Sequence, residues 1–188
     1  MPIVLQTAPQ REPVTLEEVK THLRVETDDH DGALTQLIPA ARQYVETITG
    51  RAFITQTWKL YADRFLYEFR IPRPPLQSVT GVQYKDASEA LQTLAASNYV
   101  VDTASEPARL HQNSNGTYPN TSNNLNAVTI TFVAGYGDEA EDVPGPLRRA
   151  ILLHIERLFD TPSGPYADSI EWAFDSLIAP YRIDGLAL

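Results

Sequence analysis

The hydrophobic period of this chain changes twice, and those two changes limit the folds open to it. Apolar residues recur at helical spacing over residues 15–50, alternate with period two through a long middle stretch, and return to helical spacing from residue 147. A segment patterned for one period cannot bury its apolar face in the geometry of the other. The expected fold class is therefore α+β: a small helical bundle core with a β-rich subdomain inserted between the second and third main helices. The expected division is residues 1–52 as an N-terminal helical pair, 53–137 as the β-rich insertion, and 138–188 as C-terminal helices with an extended tail. At 188 residues these parts are expected to make one folding unit.

Local signals refine the helical parts. Thr15 can cap a helix and Glu18, three residues on, can close a capping box ahead of Leu16, Val19 and Leu23. An acidic turn over residues 26–32 leads to a second helix carrying Leu34, Leu37, Ile38, Ala41, Val45 and Ile48, with Gly50 as its terminator. Pro39 lies inside it and is expected to kink it or mark an irregular turn, because it removes one ladder bond. After Val143-Pro144-Gly145-Pro146, Leu147, Ile151, Leu152, Ile155, Leu158 and Phe159 define a helix expected at the centre of the core. A linker by composition over residues 161–165 precedes a shorter helix with Ile170, Ala173, Phe174, Leu177 and Ile178 on one face.

In the middle, residues 54–62 and 65–71 alternate and predict a hairpin turning near Asp63-Arg64. Further strands are expected over 79–84, 99–102, 108–111 and 128–134. Residues 112–126, rich in Asn, Ser, Thr, Gly and Pro, predict a mobile surface loop, either a contact arm or a solvated tip.

The chemistry of the sequence is sparse. Asp28-Asp29-His30-Asp31 is the one dense set of possible metal ligands, and it lacks the glycine and distal glutamate of a calcium loop. It is expected to be an acidic turn whose carboxylates cap the next helix. His154, on an apolar helix, is expected to be a core or interface residue, and Gly135-Tyr136-Gly137 a structural turn without a phosphate-loop lysine. No catalytic residue, metal or cofactor is expected. The chain has no cysteine, so neither a disulfide framework nor a thiolate site is available. A net charge of −9 argues against gripping nucleic acid by its phosphates, while leaving room for DNA that merely passes. No secretion signal or membrane-spanning run is expected.

Five stretches carry a resemblance: Pro13-Val14-Thr15-Leu16-Glu17-Glu18-Val19-Lys20 with Leu23-Arg24-Val25, Thr49-Gly50-Arg51-Ala52-Phe53-Ile54-Thr55-Gln56-Thr57-Trp58, Pro72-Arg73-Pro74-Pro75-Leu76-Gln77-Ser78-Val79, Phe132-Val133-Ala134-Gly135-Tyr136-Gly137, and Leu177-Ile178-Ala179-Pro180-Tyr181-Arg182. In this order they resemble the head–tail connector, or adaptor, proteins of long-tailed bacteriophages and gene transfer agents. The resemblance implies a non-enzymatic subunit that forms a ring, commonly twelve-fold, beneath the portal protein. That ring would offer a docking face to the next neck, stopper or tail protein and let DNA pass without specific binding. It also implies a place in the virion neck after assembly in the bacterial host cytoplasm. The loop around 113–126 departs from the family's usual appearance.

Within that reading, the terminal helix is the segment expected to reach the portal or a neighbour. Trp172, Phe174, Leu177, Ile178, Tyr181 and Arg182 are the expected interface residues, aromatic and Arg side chains being those that dominate hot spots. Asp138, Glu139, Glu141 and Asp142 are the candidate lumen-facing acids. The competing expectations are another neck or tail-completion protein, a soluble module that binds through its β insertion, and a hydrolase or metalloenzyme built around residues 28–31.

Overall fold

The computed structural model describes residues 1–160 and 165–183. Of the expected linker over 161–165, residues 161–164 lie outside the described residues, as does the tail beyond 183, and Pro165 is the first residue of a helix. Two compact units emerge: residues 1–8 with 55–136 form a β unit, and residues 9–54 with 137–183 form a helical unit.

The helical unit holds α1 (Leu16–Leu23), α2 (Asp31–Thr49), α3 (Gly145–Asp160) and α4 (Pro165–Ile178). Thr15 caps α1 through a complete capping box with Glu18, so two of the orphan amides at that end are satisfied reciprocally. Gly50 ends α2 in the left-handed conformation at φ 72°. Pro39 stays inside α2, which is a single helix from Asp31 to Thr49. Helix α3 packs on each of the other three. Its Leu147, Ala150, Ile151 and Ile155 are buried, as are Leu34, Ala41 and Val45 of α2.

A charged network lies in this unit. Arg42, itself buried, donates to Glu12 at 2.7 and 3.3 Å and to Glu46 at 2.7 Å, and Glu46 also accepts the Phe53 amide at 2.8 Å. Burial works against the guanidinium charge, but the two carboxylates outweigh it and hold its pKa above the ordinary arginine value.

The acidic turn before α2 differs from expectation. The cap residue is His30, without a side-chain cap bond, and the carboxylates bind backwards: Lys20 Nζ lies 2.6 Å from Asp28 and 2.8 Å from Asp31. A fixed lysine on α1 competes with the orphan amides of α2 and wins these side chains. The Lys20 hydrogen bond holds Asp28 below the usual carboxylate range.

The β unit contains β1 (Ile3–Thr7), β2 (Gln56–Ala62), β3 (Glu68–Ile71), β4 (Leu76–Lys85), β5 (Leu91–Thr93), β6 (Tyr99–Asp102), β7 (Ala108–Gln112) and β8 (Val128–Ala134). One antiparallel sheet runs β1-β2-β8-β4-β5 and a second runs β3-β7-β6. The predicted hairpin over 54–71 does not form. Strand β2 pairs along its whole length with β8, Trp58 facing Phe132 and Leu60 facing Ile130, while β3 pairs with β7. A seven-residue partner outcompetes the local one, and the Asp63 carboxylate accepts the Asn126 amide at 2.9 Å, tying the end of β2 to the start of β8. Strands β1 and β5 had no counterpart in the sequence expectations.

Residues 112–126 are tied down along their length. Asn113 bonds the Asn98 and Ser97 carbonyls, the Thr117 amide donates to the Asn98 side chain, and Ser122 and Asn124 both donate to Glu89. Tyr118 stacks on Phe65 with ring centroids 4.5 Å apart. The Asn, Ser and Thr side chains of this loop supply these local bonds.

Candidate assembly interface

Helix α4 sorts its side chains by face. Ile170, Phe174 and Ile178 are buried, at i, i+4 and i+8, on the side that packs against α3. Residues two apart lie about 200° apart around a helix. Trp172 consequently points away from Phe174 and is 73% exposed. Around it stand Asp168, Ser169, Glu171, Asp175 and Ser176, all exposed. Two ion pairs edge this face: Arg157 to Glu171 at 3.7 Å and Arg182 to Asp175 at 3.0 Å.

The inner side of α4 rests on an aromatic stack. His154 lies flat on Tyr44, centroids 4.1 Å apart at an interplanar angle of 4°, and Phe174 is 5.8 Å from the His154 ring. Burial, aided by Arg157, pushes the His154 pKa down and favours the neutral imidazole that stacking uses.

The chain beyond α4 is held against the end of α2. Arg51 Nε donates to the Tyr181 carbonyl at 2.7 Å with its guanidinium 6.0 Å from the Tyr181 ring, and the Ile183 amide donates to the Thr49 carbonyl at 3.1 Å. Of the six expected interface residues, Phe174 and Ile178 are engaged inside their own unit, Leu177 and Tyr181 are half-buried, and Trp172 and Arg182 are exposed. Arg51 was not singled out from sequence; its place directly after a helix-ending glycine was the available signal.

The four candidate lumen acids are all exposed. Glu139 and Asp142 form a reciprocal capping box on the short helix Ala140–Asp142, and Glu139 also pairs with Arg11. Asp138 and Glu141 make no ion pair among the described residues. Acidity is unevenly distributed: residues 9–54 and 137–183 contain 17 acidic and nine basic side chains, whereas the β unit contains six of each. The helical unit thus carries −8 of the chain's −9.

Two of the open clefts on the helical unit border α1. One, of about 760 Å³, is lined by the apolar Leu16 and Val25, the cations Lys20 and Arg24, and the acids Glu17, Glu26 and Asp31. The other, of about 570 Å³, includes His22, whose Nε2 is 2.8 Å from Glu156 and whose Nδ1 is 2.9 Å from Arg149. Among the described residues no group of three or more His, Asp or Glu side chains is placed to hold a metal. No described helix is long and apolar enough to cross a membrane.

A family model described as the phage gp6-like head-tail connector protein matches residues 13–161. Among solved structures, the chain is similar to one from the neck of an empty gene transfer agent particle computed with six-fold symmetry, with a TM-score of 0.81 and 22% identity. It is also similar to chains from the virion of the native particle and from its neck computed with twelve-fold symmetry, with TM-scores of 0.77 and 0.73, both at 22% identity. All three alignments cover 100% of this chain and 99% of the other. No curated protein sequence matches.

Proposed function

This chain belongs to the phage gp6-like head-tail connector family, and from that membership we propose that it forms a ring under the portal protein of a tailed phage or phage-like particle, joining the DNA-filled head to the tail. The observation that carries the proposal is the family match, which runs from the cap of α1 through the β unit to the end of α3. A fold shared over the full length with neck chains of symmetric particles supports a ring of copies, with twelve as the expected number. The role is structural: the ring presents one face to the portal, another to a stopper or tail protein, and needs no cofactor.

A closed ring requires two different surfaces on each copy that meet head to tail. Helix α4 and the segment after it supply one of them in this reading, with Trp172, Leu177, Tyr181 and Arg182 as contact residues. Phe174 and Ile178 hold the helix in position from behind. The helical unit carries nearly all the excess negative charge, which suits it to line the DNA path, where phosphates must slide and not bind. Asp138, Glu139, Glu141 and Asp142 are the proposed lumen residues.

Electron microscopy of lysates from the parent particle lacking this gene tests the proposal. DNA-filled heads beside free tails are expected. Normally joined particles would overturn the connector role and favour a binding module built on the β unit.

A further inference from the structure

The five-stranded sheet ends in β1 and β5, which among the described residues pair on one side only. Each strand of that sheet runs antiparallel to the next, so these two edges, four strands apart, point the same way. Their free backbone groups follow from the ladders, because hydrogen-bonded pairs alternate along an antiparallel pair. The Tyr61 amide donates to the Pro2 carbonyl at 3.0 Å, so Pro2 and Val4 face β2 while Ile3 and Leu5 present their N–H and C=O groups outward. A bulge at Gln6 ends this regular edge after Leu5. On the other side of the sheet the Asp86 amide donates to the Ala90 carbonyl at 3.0 Å and the Leu94 amide to the Val82 carbonyl at 2.8 Å, which leaves Leu91 and Thr93 facing outward. Each edge thus offers two sets of donor and acceptor, two residues apart.

Natural sheets guard such edges with charge. In the second sheet, edge strand β3 carries Glu68 and Arg70, and β6 ends in Asp102. Ile3-Val4-Leu5-Gln6-Thr7 and Leu91-Gln92-Thr93 hold no charged residue. They expose apolar side chains instead: Val4 at 52%, Leu5 at 41% and Leu91 at 63%. Val4 lies opposite Lys59 and so in line with Thr131, while Leu91 lies opposite Lys85, two residues from Gln83, which faces Thr129. Val4 and Leu91 therefore stand on the same face of the sheet. Lys59 and Lys85 sit one strand in from either edge. The acids of the turn before β5 are engaged within the chain, Asp86 by Ser88 and Gln92, and Glu89 by Ser122 and Asn124.

We propose that neighbouring copies in the ring join by these edges, β5 of one copy adding to β1 of the next as a parallel strand with Leu91 opposite Val4. In this register the Leu91 N–H donates to the Ile3 carbonyl, the Leu5 N–H to the Leu91 carbonyl, and the Thr93 N–H to the Leu5 carbonyl. Backbone bonds hold the strands together while the two most exposed apolar side chains of the edges cover each other. The edges are different surfaces, as head-to-tail closure demands, and their common direction lets one copy follow the next without turning the sheet over. This rests on the ring reading above; the seam adds to the α4 contact and does not replace it.

The chain has no cysteine, so cross-linking can be site-specific. Within one copy Val4 and Leu91 are four strand spacings apart, about 19 Å, beyond the reach of a short bismaleimide. In particles joined by a chain carrying both Val4→Cys and Leu91→Cys, that reagent should give a ladder of covalent multimers beyond the dimer, and each single substitution none. A dimer from Val4→Cys alone would mean that two β1 edges meet by two-fold pairing, and would overturn the proposal. Monomer alone from joined particles in which both cysteines have reacted would also overturn it. Proline at position 5 or 91 removes an outward N–H and no bond of the chain's own sheet. Leu5→Pro and Leu91→Pro should each lower the yield of joined particles at least tenfold while thermal unfolding of the isolated subunit stays close to the parent's. Leu5→Val, which keeps the N–H, should join as the parent does. Folded proline variants that join heads to tails normally would sink the seam; if a proline variant unfolds, the cross-linking result decides. Heads and tails that join without the gene would refute the connector reading itself, whereas a required gene with no ladder refutes only this contact.

Discussion

Arg42 shows how a charged residue can be required by a core. Its guanidinium is surrounded by Glu12 and Glu46, and Glu46 in turn holds the Phe53 amide just beyond α2. Removing the cation strands two carboxylates in a poorly solvated site. Breaking such a group by deleting one partner costs about 3–5 kcal/mol. Arg42→Ala should lower unfolding stability by that order in urea titration, and a loss below about 1 kcal/mol would show that the carboxylates relax into water. Asp86 provides the matching case on the surface. The Ser88 hydroxyl first, then Gln92 and the Ser88 and Ala90 amides, hold its carboxyl at about 2, below an ordinary value of 3.8. A folded pKa below the unfolded one contributes stability that is present above about 4 and is lost as pH falls towards about 2. NMR titration of the Asp86 carboxyl should give a midpoint near 2, and a midpoint near 4 would mean that the turn bonds are absent in solution. The capping box at Thr15 and Glu18 was legible from spacing alone. The Arg42 cluster was not, because Glu12 and Arg42 are 30 residues apart and periodicity carries no information on which charges meet.

At the scale of elements, periodicity identified α1 through α4 and β8, whose alternation survives as strict burial of Val128, Ile130, Phe132 and Ala134. It failed on partners. Period two in β2 and β3 marks strands, but pairing is decided by the best matching register across the sheet: β8 takes all seven residues of β2, and β3 pairs with β7. Strand β1 escaped because Ile3-Val4-Leu5 is an apolar run without alternation. The candidate interface was legible as a segment and not as a face: Trp172 and Phe174 are both aromatic, and only the packing of α4 separates them. That separation makes a prediction. Phe174→Ala should cost about 3–5 kcal/mol as a buried Phe deletion, while Trp172→Ala should change stability by less than about 0.5 kcal/mol. Thermal unfolding of the two variants measures both, and equal losses would mean that the indole packs within its own unit. Gly116 is a similar test of the Asn-rich loop, since an added Cβ would meet the Asn98 backbone at 2.7 Å. Gly116→Ala should cost about 1–3 kcal/mol, the range for overpacking, and a neutral result would mean that the loop stands clear of Asn98.

Charge is the property that differs most between the two units of the whole molecule. A net value of −9 spread evenly would serve solubility alone. Concentrated in the helical unit, while the β unit has no net charge, it gives one part of each subunit a field that repels phosphate and leaves the other part neutral towards protein partners. Glu139 and Asp142 also cap a helix, so replacing them would confound field with folding. Asp138 and Glu141 have no such duty, and together Asp138→Lys and Glu141→Lys change each copy by four charge units while leaving its ion pairs in place. In a ring whose helical units line the channel, this variant should fold and join heads to tails as the parent does, yet retain DNA during triggered release. The retention should weaken steeply with added salt, because contacts to phosphate are driven by counterion release. Release of DNA at the parental rate at low salt would mean that these acids face away from the channel, and would leave the surplus charge as a device for solubility.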